Sequence, residues 1–280
     1  MPGIALGDHA ARPPVGSSST ALPPCTPLRS VGGRSLWEPR PVTHLRLDRA
    51  IANLGYGTRR EAQRAVRDGR VTVAGEVVRG PEHHADPADI AIDGEPLEFP
   101  HGLFVSFHKP VGVVCSHEDK DGPPVYDLLP ARWLARNPKV TSVGRLDKDS
   151  SGLLLVTDIL PMVHQLAAPR HHVEKRYLVG LDLPLSEREL ADMAAVFATG
   201  TIMLKGEDDP CLPAVLRATD RPDRIEVVLT EGRHRQVRRM IGACGPSVAS
   251  LHRISVGPYE LGDLPEGQWR AEDPSRVTVG

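Results

Sequence analysis

The apolar positions of this chain fall into two regimes. Near the amino-terminal side, Leu47, Ala50, Ile51 and Leu54 recur at the spacing of one helix face, and Gly55-Tyr56-Gly57 ends that run. Thr58 then opens a second helix, because Glu61 stands three residues on and completes a capping box. Ala62, Ala65 and Val66 make its narrow apolar stripe, Arg59, Arg60, Arg64 and Arg67 cover the rest, and Gly69 stops it. Val71-Thr72-Val73, Ala74-Gly75 and Glu76-Val77-Val78 read as a hairpin. Beyond residue 103 the pattern changes to short apolar runs. Strands are predicted over 103–107, 140–143, 153–157, 177–181, 214–218, 225–230 and 255–261, with helices over 162–167, 187–199 and 235–243. No βα unit repeats, so the expected fold class is α+β with a mixed, mainly antiparallel sheet.

This divides the chain into a small basic module at 44–93, a linker at 94–102 marked by Pro96 and Pro100, and a main domain at 103–276. Residues 1–43 are rich in Pro, Gly, Ser and Ala without periodicity and are expected to be a disordered tail, or to precede a translation start near Leu45. A length of 280 residues suffices for one sizeable core plus a small module.

Charge changes the picture through its distribution. The net charge of -2 gives no global attraction to nucleic acid. From His44 to Gly80, however, eight Arg face four acids, leaving +4, while 81–98 holds six acids and no Lys or Arg. Arg233, Arg235, Arg238 and Arg239 form a second basic cluster. Two separated basic patches suit an RNA backbone gripped at two points, and two solvated surfaces are the plainer alternative. The four Cys (Cys25, Cys115, Cys211, Cys244) show neither a Cys-x-x-Cys pair nor a zinc spacing with His108 and His117. With no apolar run of roughly 18 residues and no secretory signal pattern, reduced thiols in a cytoplasmic protein are expected.

The densest chemistry lies in Gly144-Arg145-Leu146-Asp147-Lys148-Asp149-Ser150-Ser151-Gly152. Strand signals on both sides make it a loop with fixed aim. Asp147, Asp149, Ser151, Gly152 and Asp158 match several positions of a calcium-binding loop. The outgoing run Leu153 to Thr157 reads as a strand rather than the required helix, which argues against metal. A turn-capping aspartate is the other plain reading.

Other segments favour a catalytic reading. Gly144-Arg145-Leu146-Asp147 resembles the signature of the ribosomal pseudouridine synthases of the small-subunit type. Phe107-His108-Lys109-Pro110-Val111-Gly112 resembles that family's Lys-Pro motif, 169–179 its tyrosine strand, Glu231 to Met240 its third motif, and Leu251-His252-Arg253 with Gly267-Gln268-Trp269-Arg270 its closing strands. The small module resembles an S4 RNA-binding domain. The likeness spans about residues 44–273 in the family's order.

The resemblance implies isomerisation of a uridine in ribosomal RNA, with the 16S molecule as the expected partner, no cofactor and no metal. Asp147 is the expected catalytic carboxylate. Adding to the base, adding to the sugar and removing a sugar proton all remain open to it. Arg238 is expected to pair with it, since a neighbouring arginine favours the charged form. Tyr177 would stack on the uracil or accept its proton, and Arg145 would fill the space left by the extruded base. Lys109 and Pro110 are expected to shape the adjacent loop. Arg46, Arg59, Arg60, Arg64, Arg67, Arg233, Arg235 and Arg239 are candidate RNA contacts. His234 stands where many members carry an aromatic residue. The competing expectations are a large-subunit (23S) synthase, a non-catalytic ribosome-assembly factor, and a glycoside hydrolase, which would need Asp149 or Asp158 facing Asp147. A monomer is the default expectation.

Overall fold

The structure is a computed structural model that describes residues 44–277. The expected tail at 1–43, including Cys25, lies outside the described residues.

The small module forms as the sequence pattern predicts. Helices α1 (Leu47–Asn53) and α2 (Arg59–Arg67) pack on each other, and the side chain and backbone of Thr58 exchange hydrogen bonds with Glu61 in a complete capping box. Leu47, Ile51, Ala62, Val66, Val71 and Ile90 make its core. Val71–Val73 pairs with Glu76–Val77 on one side and Ile90–Ile92 on the other. The predicted linker needs correcting. Glu95–Pro96 pairs with Ala91 and Ile92 as the last strand of this sheet, and Leu97 is buried in the module's core. Only the segment after Leu97 connects, and Phe99 in it packs edge-on against Trp133 and Trp269 of the main domain.

The main domain is built on a nine-stranded mixed sheet. Its principal strands are β1 (Phe104–Lys109), β2 (Ser150–Thr157), β3 (Lys175–Leu181), β4 (Val215–Ala218), β5 (Arg224–Leu229), β6 (Val248–Val256) and β7 (Trp269–Ala271). Their spatial order is β4-β5-β3-β6-β2-β1-β7. All neighbours are antiparallel except β6 and β2, which run parallel. Helices α3 (Ala131–Leu134), α4 (Leu160–Ala167), α5 (Glu187–Thr199) and α6 (Gln236–Ala243) complete the α+β domain.

One strand was misplaced by the apolar pattern. The pattern predicts a single strand over 255–261, but β6 begins at Val248 and turns at Gly257 into the short strand Tyr259–Glu260. His252 and Arg253 interrupt the apolar alternation there because this strand carries polar side chains into the middle of the domain. Both sheet faces are covered near the centre. Phe107, Leu154, Val156, Val179, Val227 and Leu251 belong to one core, and Phe104, Leu153, Leu155, Met162, Val256 and Tyr259 to another. The parallel contact of β2 with β6 requires Gly152. Its φ is +106°, and a Cβ there would lie 2.2 Å from the Arg253 carbonyl oxygen.

Candidate active site

The loop carrying Asp147 is held by the segment after β1. Lys109 is completely buried, and its Nζ donates to the carbonyl oxygens of Pro110 (2.9 Å), Asp147 (3.0 Å) and Ser150 (2.7 Å). An ammonium has three N–H groups, so none is left for a substrate. Burial pushes this ammonium below its usual pKa. The Gly112 N–H donates to the Lys148 carbonyl oxygen at 2.7 Å. The Lys-Pro segment is thus a clamp beneath Asp147.

The loop, β3, β6 and the turn before α6 enclose a cavity of about 420 Å³. Arg145, Asp147, Lys175, Tyr177, Arg235 and Arg253 are among its lining residues. Tyr177 is buried in β3 opposite Arg253 of β6. The Asp147 side chain keeps 28% of its surface exposed, so its carboxylate is accessible within a half-closed site. Arg145 is exposed, and its carbonyl oxygen accepts a 3.4 Å bond from Arg253 Nη1.

The structure corrects the expected partner of Asp147. Arg235 Nη1 lies 3.8 Å from Asp147 Oδ2, whereas Arg238 is directed to Asp149 and Val248. The cause is backbone conformation. Arg235 caps α6 in the left-handed region, with φ of 50°, which carries its guanidinium over the loop. It also grips the Asp149 carboxylate with two nitrogens, at 3.3 and 2.8 Å. Arg238 donates to the carbonyl oxygens of Asp149 (2.9 Å) and Val248 (3.0 Å), joining the loop to the start of β6. Burial would raise the Asp149 pKa, but the Arg235 hydrogen bonds and the Arg238 charge outweigh it and hold the carboxyl below its usual range.

Several arginines expected to meet RNA have intramolecular partners in this structure. Arg233 donates to the carbonyl oxygens of Asp209 and Pro210 (both 2.7 Å) and to Glu231 (3.2 Å). Arg239 donates to Glu207 (2.8 Å) and the Lys205 carbonyl oxygen (2.6 Å). Both fasten the third motif to the 205–210 segment. In the small module Arg46 and Arg59 converge on the fully buried Asp48 carboxylate, at 3.2 and 3.1 Å. Arg60, Arg64 and Arg67 remain exposed on α2, with Arg64 3.6 Å from Asp68 one turn away.

The hydrolase alternative loses its second acid. Asp158 is buried in a pair with Arg136 (2.7 Å) and accepts the Leu103 N–H (2.7 Å), at the far end of β2. Asp149 is taken up by Arg235 and Arg238. The strand conformation of 150–157 also removes the helical context that a calcium loop requires. Among the described residues no three His, Cys, Asp or Glu side chains are grouped to hold a metal, and Cys115, Cys211 and Cys244 are unpaired.

Reading the sequence overlooked two cavity residues, Lys175 and Arg253. Each stands two positions from a residue that lines the same cavity, Tyr177 and Leu251 respectively, and strand alternation would have put them on that face.

An accessible aspartate on a clamped loop, set beside a strand tyrosine and an arginine and preceded by a small basic α+β module, defines a class. The chain belongs to the RNA pseudouridylate synthase family, whose profile matches residues 104–243, and an S4 domain matches residues 45–90. It is therefore an isomerase.

Among its relatives is the ribosomal small subunit pseudouridine synthase A of Escherichia coli, 41% identical over 236 residues, covering 81% of this chain and 95% of that protein. The protein of the same name from Pasteurella multocida is 36% identical over 238 residues, covering 84% and 99%. A crystal structure of a pseudouridylate synthase superposes with a TM-score of 0.56 at 35% identity, covering 83% of this chain and all of that one.

Proposed function

We propose that this protein converts one specific uridine of small-subunit (16S) ribosomal RNA to pseudouridine, with Asp147 as the catalytic carboxylate. The observation that carries this reading is the shared cavity of Asp147, Tyr177 and Arg235, at the foot of a loop fixed by Lys109.

The chemistry follows from the parts. The uracil must leave its stack, at a cost of a few kcal/mol, to reach a buried site. Exposed Arg145 at the cavity takes the vacated place in the stack. Arg60, Arg64 and Arg67 on α2 hold phosphates without reading bases. Tyr177 stacks on the extruded uracil or takes its C5 proton. Arg235 sets a positive charge 3.8 Å from the Asp147 carboxylate, which meets the ribose or the base while the glycosidic bond is broken and the uracil turns. The reaction involves no change of oxidation state and needs no electron carrier. The protein acts as a monomer in the cytoplasm, on rRNA that is free or within an assembling subunit. None of its described helices is long and apolar enough to cross a membrane.

The test uses 16S and 23S RNA from a host strain lacking the gene, mapped by carbodiimide labelling and primer extension. One 16S uridine is expected to lose its modification and to regain it when the gene is restored. A loss confined to 23S RNA, or no loss at all, overturns the assignment.

A further inference from the structure

Besides the exposed Arg145, two cations of the active-site cavity, Lys175 and Arg253, have no anion among the described residues. Arg253 is 3% exposed. Its Nε donates to the Leu153 carbonyl oxygen (2.8 Å) and Nη1 to that of Arg145 (3.4 Å), while the buried Nη2 has no partner. Lys175, on the neighbouring strand, spends one N–H on the Val173 carbonyl oxygen at 2.7 Å. Among the described residues neither side chain lies within ion-pair distance of a carboxylate, whereas Arg233, Arg235, Arg238 and Arg239 each have one. Burial and the nearby Arg253 push the Lys175 ammonium down to about 8. A buried charge without a counterion is expensive, so the buried Arg253 with the half-buried Lys175 beside it at a reaction site points to an anion that arrives with the substrate or forms from it.

We propose that Lys175 and Arg253 receive the negative charge that develops on the uracil carbonyl oxygens when the C1′–N1 bond breaks. This rests on the pseudouridine-forming reading given above. The bond breaks with its electron pair left on N1, and conjugation spreads the charge over O2 and O4. The electron-deficient sugar carbon is compensated through Asp147. After the base turns, C5 supplies the pair for the new C1′–C5 bond, C5 gives up its proton and N1 ends protonated, so the sum is an isomerisation. The position of the two cations favours the base over a phosphate as their ligand. They project from the central strands β3 and β6 beside Tyr177, where the flipped base goes deepest. The phosphates stay at the mouth, on the side of exposed Arg145.

The test compares the full chain with its Lys175→Met variant on a 16S transcript, measuring the single-turnover rate of pseudouridine formation and the RNA Kd. Removing one preorganised charge donor should slow the chemical step by about 100-fold. The RNA Kd should stay within about twofold, because the charge forms only after binding. Lys175→Arg should recover most of the rate, which a merely structural lysine would not require. An unchanged rate in Lys175→Met overturns the proposal. So does a raised Kd with a shallower salt dependence at normal rate, the mark of a phosphate contact. If Lys175→Met lacks a cooperative melt, Lys175→Gln is read on the same two scales with the same outcomes. A wild-type protein that forms no pseudouridine would instead refute the preceding reading.

Discussion

Replacing Lys109 by Met keeps the length of the side chain and deletes its ammonium. In the native protein that ammonium holds three carbonyl oxygens, those of Pro110, Asp147 and Ser150, at 2.7–3.0 Å. Hydrogen bonds to a charged group contribute about 1.5–3 kcal/mol each, so three are worth roughly 4–9 kcal/mol. Against this, the variant no longer removes an ammonium from water, which returns several kcal/mol. The net destabilisation is about 2–4 kcal/mol. For a domain of this size that lowers Tm by roughly 5–15 °C. Turnover should suffer more than stability suggests, since a shift of about 1 Å in a catalytic group costs on the order of 100-fold in rate. Urea titration gives the stability difference, and single-turnover pseudouridine formation under conditions where the variant is folded gives the rate. A Lys109→Met protein with the wild-type urea midpoint and the wild-type rate would refute the clamp.

Three further outcomes follow from the same contacts. Arg235→Ala should slow turnover by about 100-fold with little change in melting, whereas Arg238→Ala should lose about 1–2 kcal/mol of stability with its two carbonyl bonds; the reverse pattern would return the Asp147 partnership to Arg238. Replacing Arg60, Arg64 and Arg67 by Ala should weaken RNA binding and reduce the salt slope by about 2–3 units while leaving the rate on bound RNA unchanged; an unaltered slope would show that α2 holds no phosphates. Asp48, bonded by Arg46, Arg59 and Gln63, has its pKa driven far below the usual range against the opposing effect of burial. Its stabilisation is therefore complete above about pH 4 and fades as pH falls through the lower, folded-state value, so Asp48→Asn should cost stability at pH 7 and progressively less below pH 3. Equal losses at pH 7 and pH 2 by chemical denaturation would contradict this.

The parts of the molecule that were legible in the sequence are those with local causes. The capping box of Thr58 and Glu61, the stripe of Ala62 and Val66, and the run Leu153 to Thr157 each carry their signal within a few residues. The loop aspartate was legible too, because strand signals flanked it. What escaped depends on partners distant in sequence. Lys109 reaches carbonyl oxygens 38 and 41 residues away, and Arg253 reaches Leu153 across one hundred. Those contacts exist only after β1, β2 and β6 have paired in register. Arg235 and Arg238 look interchangeable in a basic run, and only the left-handed turn at Arg235 separates their roles. The apolar pattern displaces strand β6 to 255–261 because a strand that lines a polar cavity breaks the apolar alternation on which such a pattern rests.

The central claim is that the Asp147 carboxylate breaks the bond between uracil and ribose. Forming the new carbon–carbon bond must expel the hydrogen at uracil C5, so a 16S transcript carrying tritium at that position reports the reaction directly. The wild-type protein should release one tritium per RNA molecule into water, and Asp147→Asn should bind the transcript equally well yet release none. Release at the wild-type rate by the Asp147→Asn protein would contradict the account, whatever else in the cavity was correct.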